Sequence, residues 1–212
     1  MRKAGGMTPP NAVRVRRGFA TVAMILVLLY ALIDIVLQAL PPHYSVVSDA
    51  ESDLAVGPFG WAMNLNFLAR AAMSGCLVVA VALTAPASPR RIAGAVLLAL
   101  AGLCSAALVF FPTDVNRAGE FGMTPRTTLG LVHVVFATSG FLAVLAAMAL
   151  ITSWIGRPRL VTGIFAVALV GLVLLGVSLA LLPQVVGLAE RLCLLGILGW
   201  AFAVCLELRR PR

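Results

Sequence analysis

The residues of this sequence with most chemistry to offer are those that interrupt its apolar runs: Asp34, Asn64, Asn66, Arg70, His133, Glu190 and Arg191. A charged side chain at the centre of a bilayer costs roughly 3 kcal/mol or more, so such a residue needs a partner, a water-filled space or a functional role. Asp114 follows the Phe-Pro that closes one apolar run, and His133 lies early in the next. A carboxylate and an imidazole so disposed could work as acid and base, because histidine titrates near neutrality. They could equally make one hydrogen bond that fixes the segment between them. Ser45, Ser48 and Ser52 lie near His43, but no GxSxG elbow accompanies them, and His43 itself reads as a solvated loop residue.

Metal chemistry has less support. His43 and His133 fall in no HxxxH or HExxH pattern, and Cys76, Cys104, Cys193 and Cys205 lie inside apolar runs with no CxxC spacing. The cysteines read as small buried hydrophobes. Neither a metal nor another cofactor is expected.

The elements that position these residues follow from composition. Of 212 residues, 61% are hydrophobic and 11% charged, and the mean hydropathy is +1.04. A soluble domain carries far more charge on its surface. The net charge of +8 would suit nucleic acid, but Lys and Arg cluster at the ends of apolar runs and not on one face. No nucleic-acid partner is expected; the partner is the lipid bilayer. Six segments have the roughly 20 apolar residues that a spanning helix needs: about 18–40, 61–85, 92–112, 128–154, 160–182 and 186–206. Pro41, Pro42, Pro86, Pro89, Pro112, Pro158 and Pro183 punctuate them. The first segment is too long for a signal-peptide core and lacks a cleavage site, so it reads as a retained helix. The expected fold is all-α, a six-helix membrane domain over 18–206 between basic tails at 1–17 and 207–212.

Arg2, Lys3, Arg14, Arg16, Arg17, Arg90, Arg91, Arg157, Arg159, Arg209, Arg210 and Arg212 fall on one side of such a bundle, and Arg117 and Arg126 on the other. The positive-inside rule then predicts cytoplasmic termini, and the expected location is the plasma membrane. An even number of spans agrees. The loops opposite the termini are the longer ones, 41–60 and 113–127, so a localised function is expected outside.

Counting 1.5 Å per residue gives depths of ~9 Å for Asp34, ~5–8 Å for Asn64 and Asn66, ~14 Å for Arg70, ~8 Å for His133 and ~6–8 Å for Glu190 and Arg191, measured from the outer helix ends. All lie in the outer half. One account is a polar cavity open to the outside, rimmed by the loop acids Asp49, Glu51 and Asp53 with Asp114 and Thr124. Another is structural: an Asp34–Arg70 ion pair, Glu190 and Arg191 snorkelling outward, and His133 bonded to a neighbouring helix.

Two blocks carry a resemblance: FFPTDVNRAGEFGMTPRTTLGLVH, with Asp two residues after the Pro and an early helical His, and YSVVSDAESDLAVGPFGWAMNLNF, with Ser-Asp ahead of Gly and Asn just inside the next helix. Together with the hydropathy profile over about 18–205, they resemble the bacterial and archaeal membrane family catalogued as domain of unknown function 998. The matching positions are Ser48, Asp49, Asn66, Pro112, Asp114 and His133. The resemblance implies a six-helix membrane domain and no particular activity.

The leading expectation is an outward-facing cavity that binds a small molecule or lipid headgroup through Asp34, Ser48, Asp49, Asn64, Asn66, Arg70, Asp114, His133, Glu190 and Arg191. The alternatives are a membrane enzyme acting on a lipid or outer-leaflet substrate, with Asp114 and His133 as acid and base, and an accessory subunit of a membrane complex. Mid-span Gly/Pro breaks of the transporter type are lacking.

Overall fold

The computed structural model describes residues 9–84, 87–117 and 119–210. Arg2, Lys3, Pro86 and Arg212 lie outside the described residues. Among the described residues the protein is all-helical, without strands: α1 (Pro9–Gln38), α2 (Gly60–Ala82), α3 (Pro89–Ala107), α4 (Thr128–Trp154), α5 (Arg159–Leu181) and α6 (Val186–Arg209), with short 3-10 turns at Glu51–Ala55 and Pro183–Val185. All six α-helices are long and apolar enough to cross a membrane, which makes this a multi-pass membrane protein.

The helix ends follow local chemistry. α1 starts before the apolar run, so Arg14, Arg16 and Arg17 are helical and not part of an extended tail. α3 starts at Pro89 because the Ser88 hydroxyl accepts from the Arg91 amide at 3.2 Å and proline suits the first helical position. It stops at Ala107, short of the expected 112, and gives way to a turn over 108–110 ahead of Phe111, whose helical geometry the following Pro112 disfavours. α4 opens on Thr127, whose hydroxyl accepts from the Gly130 amide at 3.0 Å.

Helices adjacent in sequence pack as antiparallel neighbours, except that α4 and α5, joined by residues 155–158, touch only sparsely. The arrangement closes instead through α6, which packs on both α5 and α1 and is the most buried helix. Small residues allow the close approach of α5 and α6: a side chain on Gly171 would strike the Cys193 backbone, and one on Gly196 the Ala168 backbone. The outward surfaces carry Ile25, Leu28, Leu32 and Ile35 on α1 and Val170, Val173 and Leu181 on α5, all exposed and suited to lipid.

At one end of the bundle Arg16, in the second turn of α1, donates to the Arg210 carbonyl at the described C-terminal end at 3.4 Å. Nearby in the bundle, Trp200 Nε1 donates to Thr152 Oγ1 at 2.8 Å and ties α6 to α4. The opposite end, the loop end below, carries segments 39–59 and 108–127.

Candidate functional site

Segment 45–51 folds back onto the first turns of α6. The Leu188 amide donates to the Val47 carbonyl at 3.0 Å, and Arg191 Nη1 donates to the carbonyls of Asp49 at 2.8 Å and Val46 at 3.1 Å. Gly187 permits this, since a Cβ there would strike the Asp49 carbonyl. Ser48 and Asp49 hold the turn: Asp49 accepts from the Ser45 amide at 2.8 Å and from the Ser48 hydroxyl at 3.0 Å.

This return carries two acids inside. Glu51 and Asp53 are each only 3% exposed. The expectation that they form a solvated rim is therefore corrected: depth counted along helices says nothing of a loop that re-enters the bundle. The Tyr30 hydroxyl donates to Glu51 Oε1 at 2.7 Å, and the Glu51 amide donates to Glu190 Oε2 at 2.8 Å. Burial, with the carboxyls of Asp34 and Glu190 close by, pushes the Glu51 carboxyl up to about 8. Burial, with Glu190 and Asp49 near, pushes Asp53 up to about 7.

Deeper in the bundle, Arg70 Nε donates to the Ser105 hydroxyl at 2.9 Å, which in turn donates to the Phe67 carbonyl at 2.8 Å. The guanidinium lies 5.5 Å from the Phe67 ring centroid and 6.0 Å from that of Tyr30, within cation–π range. Asn66, fully buried, donates to the Tyr30 carbonyl at 3.2 Å, and its Oδ1 has no partner. His133 Nδ1 bonds the Phe111 carbonyl at 2.7 Å. A carbonyl only accepts, so Nδ1 carries the proton and neutral His133 keeps a bare acceptor at Nε2, which is buried without a partner.

Contact ion pairs are described at Arg126–Glu120 and Arg210–Glu207. Asp34, Glu51, Asp53, Arg70, Glu190 and Arg191 belong to neither. The Asp34–Arg70 pair of the structural account does not form; Asp34 meets the Gln38 amide at 3.4 Å.

Asp114 and His133 are not hydrogen-bonded to each other. Asp114 accepts from the amides of Arg126 at 2.7 Å and Thr127 at 2.8 Å and from the Thr127 hydroxyl at 2.9 Å. The two amides hold its carboxyl below the usual carboxylate range. Gly130 leaves room for it, because a Cβ there would fall on the carboxylate. Asp114 thus fastens the 108–127 segment to the α4 terminus, and His133 does so separately through Phe111.

Cavities run from the loop end to the middle of the bundle. A small one of ≈ 20 Å³, enough for a water, is bordered by Tyr30, Glu51, Arg70, His133 and Glu190. It shares Arg70 and Leu108 with a central cavity of ≈ 40 Å³ that Ser105, Phe141 and Ile197 also line. It shares Tyr30 and Glu51 with a groove of ≈ 290 Å³ between α1 and α6, bordered by Asp34, Arg191, Leu194 and Leu198. A pocket of ≈ 10 Å³ near the loops collects Asp53, Asp114 and Thr124. Asn64, half-buried, borders none of these, and Ser48 and Asp49 are engaged in the turn.

Of the residues singled out by sequence, Asp34, Arg70, His133, Glu190 and Arg191 border these adjoining cavities, with Asn66 beside them. Tyr30 was missed. It lies one helical turn before Asp34, a spacing that sets both on one face of α1.

No curated protein and no solved structure matches the chain. The family described as "Protein of unknown function (DUF998)" matches residues 24–207, nearly the whole of the membrane domain, and the chain belongs to this family.

Proposed function

We propose that this multi-pass membrane protein binds a small molecule or lipid headgroup in the adjoining cavities of its loop half, which faces the outside of the plasma membrane. The observation that carries the reading is the absence, among the described residues, of contact ion pairs within the set Asp34, Glu51, Asp53, Arg70, Glu190 and Arg191, of which Glu51, Asp53 and Glu190 are buried and the others half-buried. A purely structural cluster offsets desolvation by pairing its charges. Here they border cavities, and Asn66 Oδ1, His133 Nε2 and two Arg191 nitrogens lack partners. Such groups offer hydrogen-bond donors and acceptors to a guest. The basic residues at the opposite end support an outward orientation.

The test is purification in mild detergent followed by identification of co-purified molecules. A defined small molecule or lipid is expected, reduced in Arg70→Gln and His133→Ala. Recovery of no ligand, with both variants behaving as wild type, rejects the reading. The geometry gives no support to Asp114 as a catalytic acid, since its carboxylate is engaged in capping α4.

A further inference from the structure

We infer that the groove between α1 and α6 is a binding site for a zwitterionic phospholipid, with the ammonium at Asp34, the phosphate at Arg191 and an acyl chain along Leu195 and Leu198. This rests on the binding reading above and names the ligand class.

Depth is the first support. Asp34 lies four residues from the loop end of α1, and Arg191 five from that of α6, so both are ~6–8 Å below the helix ends. With the helix ends at the membrane surface, that depth matches the ~5–10 Å over which interfacial amphiphiles bury their apolar faces. Below them the groove walls are Ala31, Leu194, Leu195 and Leu198. The polar end is thus at headgroup depth and the apolar end at chain depth, the polarity order of an amphiphile.

Access is the second. Ile35 is 67% and Leu195 65% exposed on the bundle's outer face, so the groove opens sideways toward lipid. Its ≈ 290 Å³ approaches the lower end of ligand sites, about 300 Å³.

Charge is the third. Asp34 and Arg191 border the same groove without pairing. Arg191 spends only Nη1 on carbonyls, those of Val46, Asp49 and Gly187. Nε and Nη2, the edge that grips a phosphate with two parallel bonds, have no partner. Both atoms are covered by protein, so engaging a phosphate takes a turn of the guanidinium about its Nη1 contacts. Glu51, at the groove's inner wall, is already engaged by the Tyr30 hydroxyl at 2.7 Å, and burial raises its carboxyl to about 8. Asp34 and Arg191 thus set one acidic and one basic side chain on opposite walls of the groove, an arrangement that favours a zwitterion over a singly charged lipid.

Native mass spectrometry on the full chain in detergent tests this with dioleoylphosphatidylethanolamine, dioleoylphosphatidylglycerol and soluble O-phosphoethanolamine. The ethanolamine lipid should be retained about tenfold better than the glycerol lipid. Asp34→Asn should remove that preference without weakening glycerol-lipid binding, and Leu195→Trp, which fills the groove, should reduce retention of the ethanolamine lipid. Equal retention of the two lipids by wild type, an unchanged preference in Asp34→Asn, or unchanged retention of the ethanolamine lipid in Leu195→Trp overturns the inference. So does binding of O-phosphoethanolamine as tight as that of its lipid, which assigns the site to a free solute. A different co-purified molecule, lost in Arg70→Gln and kept in Asp34→Asn, overturns the groove assignment while the broader binding reading stands.

Discussion

Glu51 and Glu190 meet through backbone and side chain: the amide of the first donates to Oε2 of the second at 2.8 Å. The Glu51 carboxyl turns the other way and takes the Tyr30 hydroxyl at 2.7 Å. One loop residue thereby links α1 to α6 beneath the surface, and its own acid is left in apolar surroundings without a cation in contact.

That burial sets a pH dependence. A carboxyl whose folded value is raised to about 8 from 4.5 holds its proton more tightly in the folded protein than in the unfolded chain. Its stabilising contribution is complete below the unfolded value and is lost as pH rises toward about 8. Asp53 acts in the same direction up to about 7. The thermal midpoint in detergent should fall between about pH 5 and about pH 8, each titrating group contributing up to about 1.4 kcal/mol per unit. Glu51→Gln should flatten this slope. A wild-type midpoint that rises over the same range contradicts the burial of these acids.

At the α4 terminus, Thr127→Ala removes the cap to Gly130 and a bond to Asp114. It should cost about 1 kcal/mol. Gly130→Ala should also destabilise, by driving a methyl into the Asp114 carboxylate. Neither should change the identity of a co-purified ligand. Melting curves and ligand identification, run together on both variants, check this.

The Trp200–Thr152 bond is buried, and Thr152→Val keeps the shape while orphaning the indole N–H. A loss of about 1–3 kcal/mol is expected. Chemical denaturation compared with Thr152→Ser, which retains a hydroxyl, separates the hydrogen bond from packing.

Gly171→Leu and Gly196→Leu should be far more damaging than Gly163→Leu, because the first two positions face the α6 or α5 backbone and the third meets open space. Folded yield in membranes is the direct measure. Equal yields for all three would contradict the close α5–α6 packing.

The spans were readable from sequence because lipid imposes a length and a polarity on each. Arg70, His133 and Glu190 were readable for the same reason, since each interrupts an apolar helix. Glu51 and Asp53 were not, for an acid-rich loop looks solvated until its tertiary bonds to Leu188, Glu190 and Arg191 are known. That Asp114 could fix its segment by hydrogen bonding is legible, but its partners are not, because its donors at Arg126 and Thr127 lie 12 and 13 positions away and His133 is not among them.

The sparse contact between α4 and α5 has a genetic consequence. The covalent tether at 155–158 contributes little to holding the bundle together, since α5 is anchored by α6 and α6 by α1. Severing the gene between Gly156 and Arg157 should yield two polypeptides that insert separately and reunite in the bilayer. Co-expression with a tag on one half, followed by affinity capture of the other, would reveal such complementation; a cut within the tightly packed α5–α6 hairpin should not be tolerated in this way.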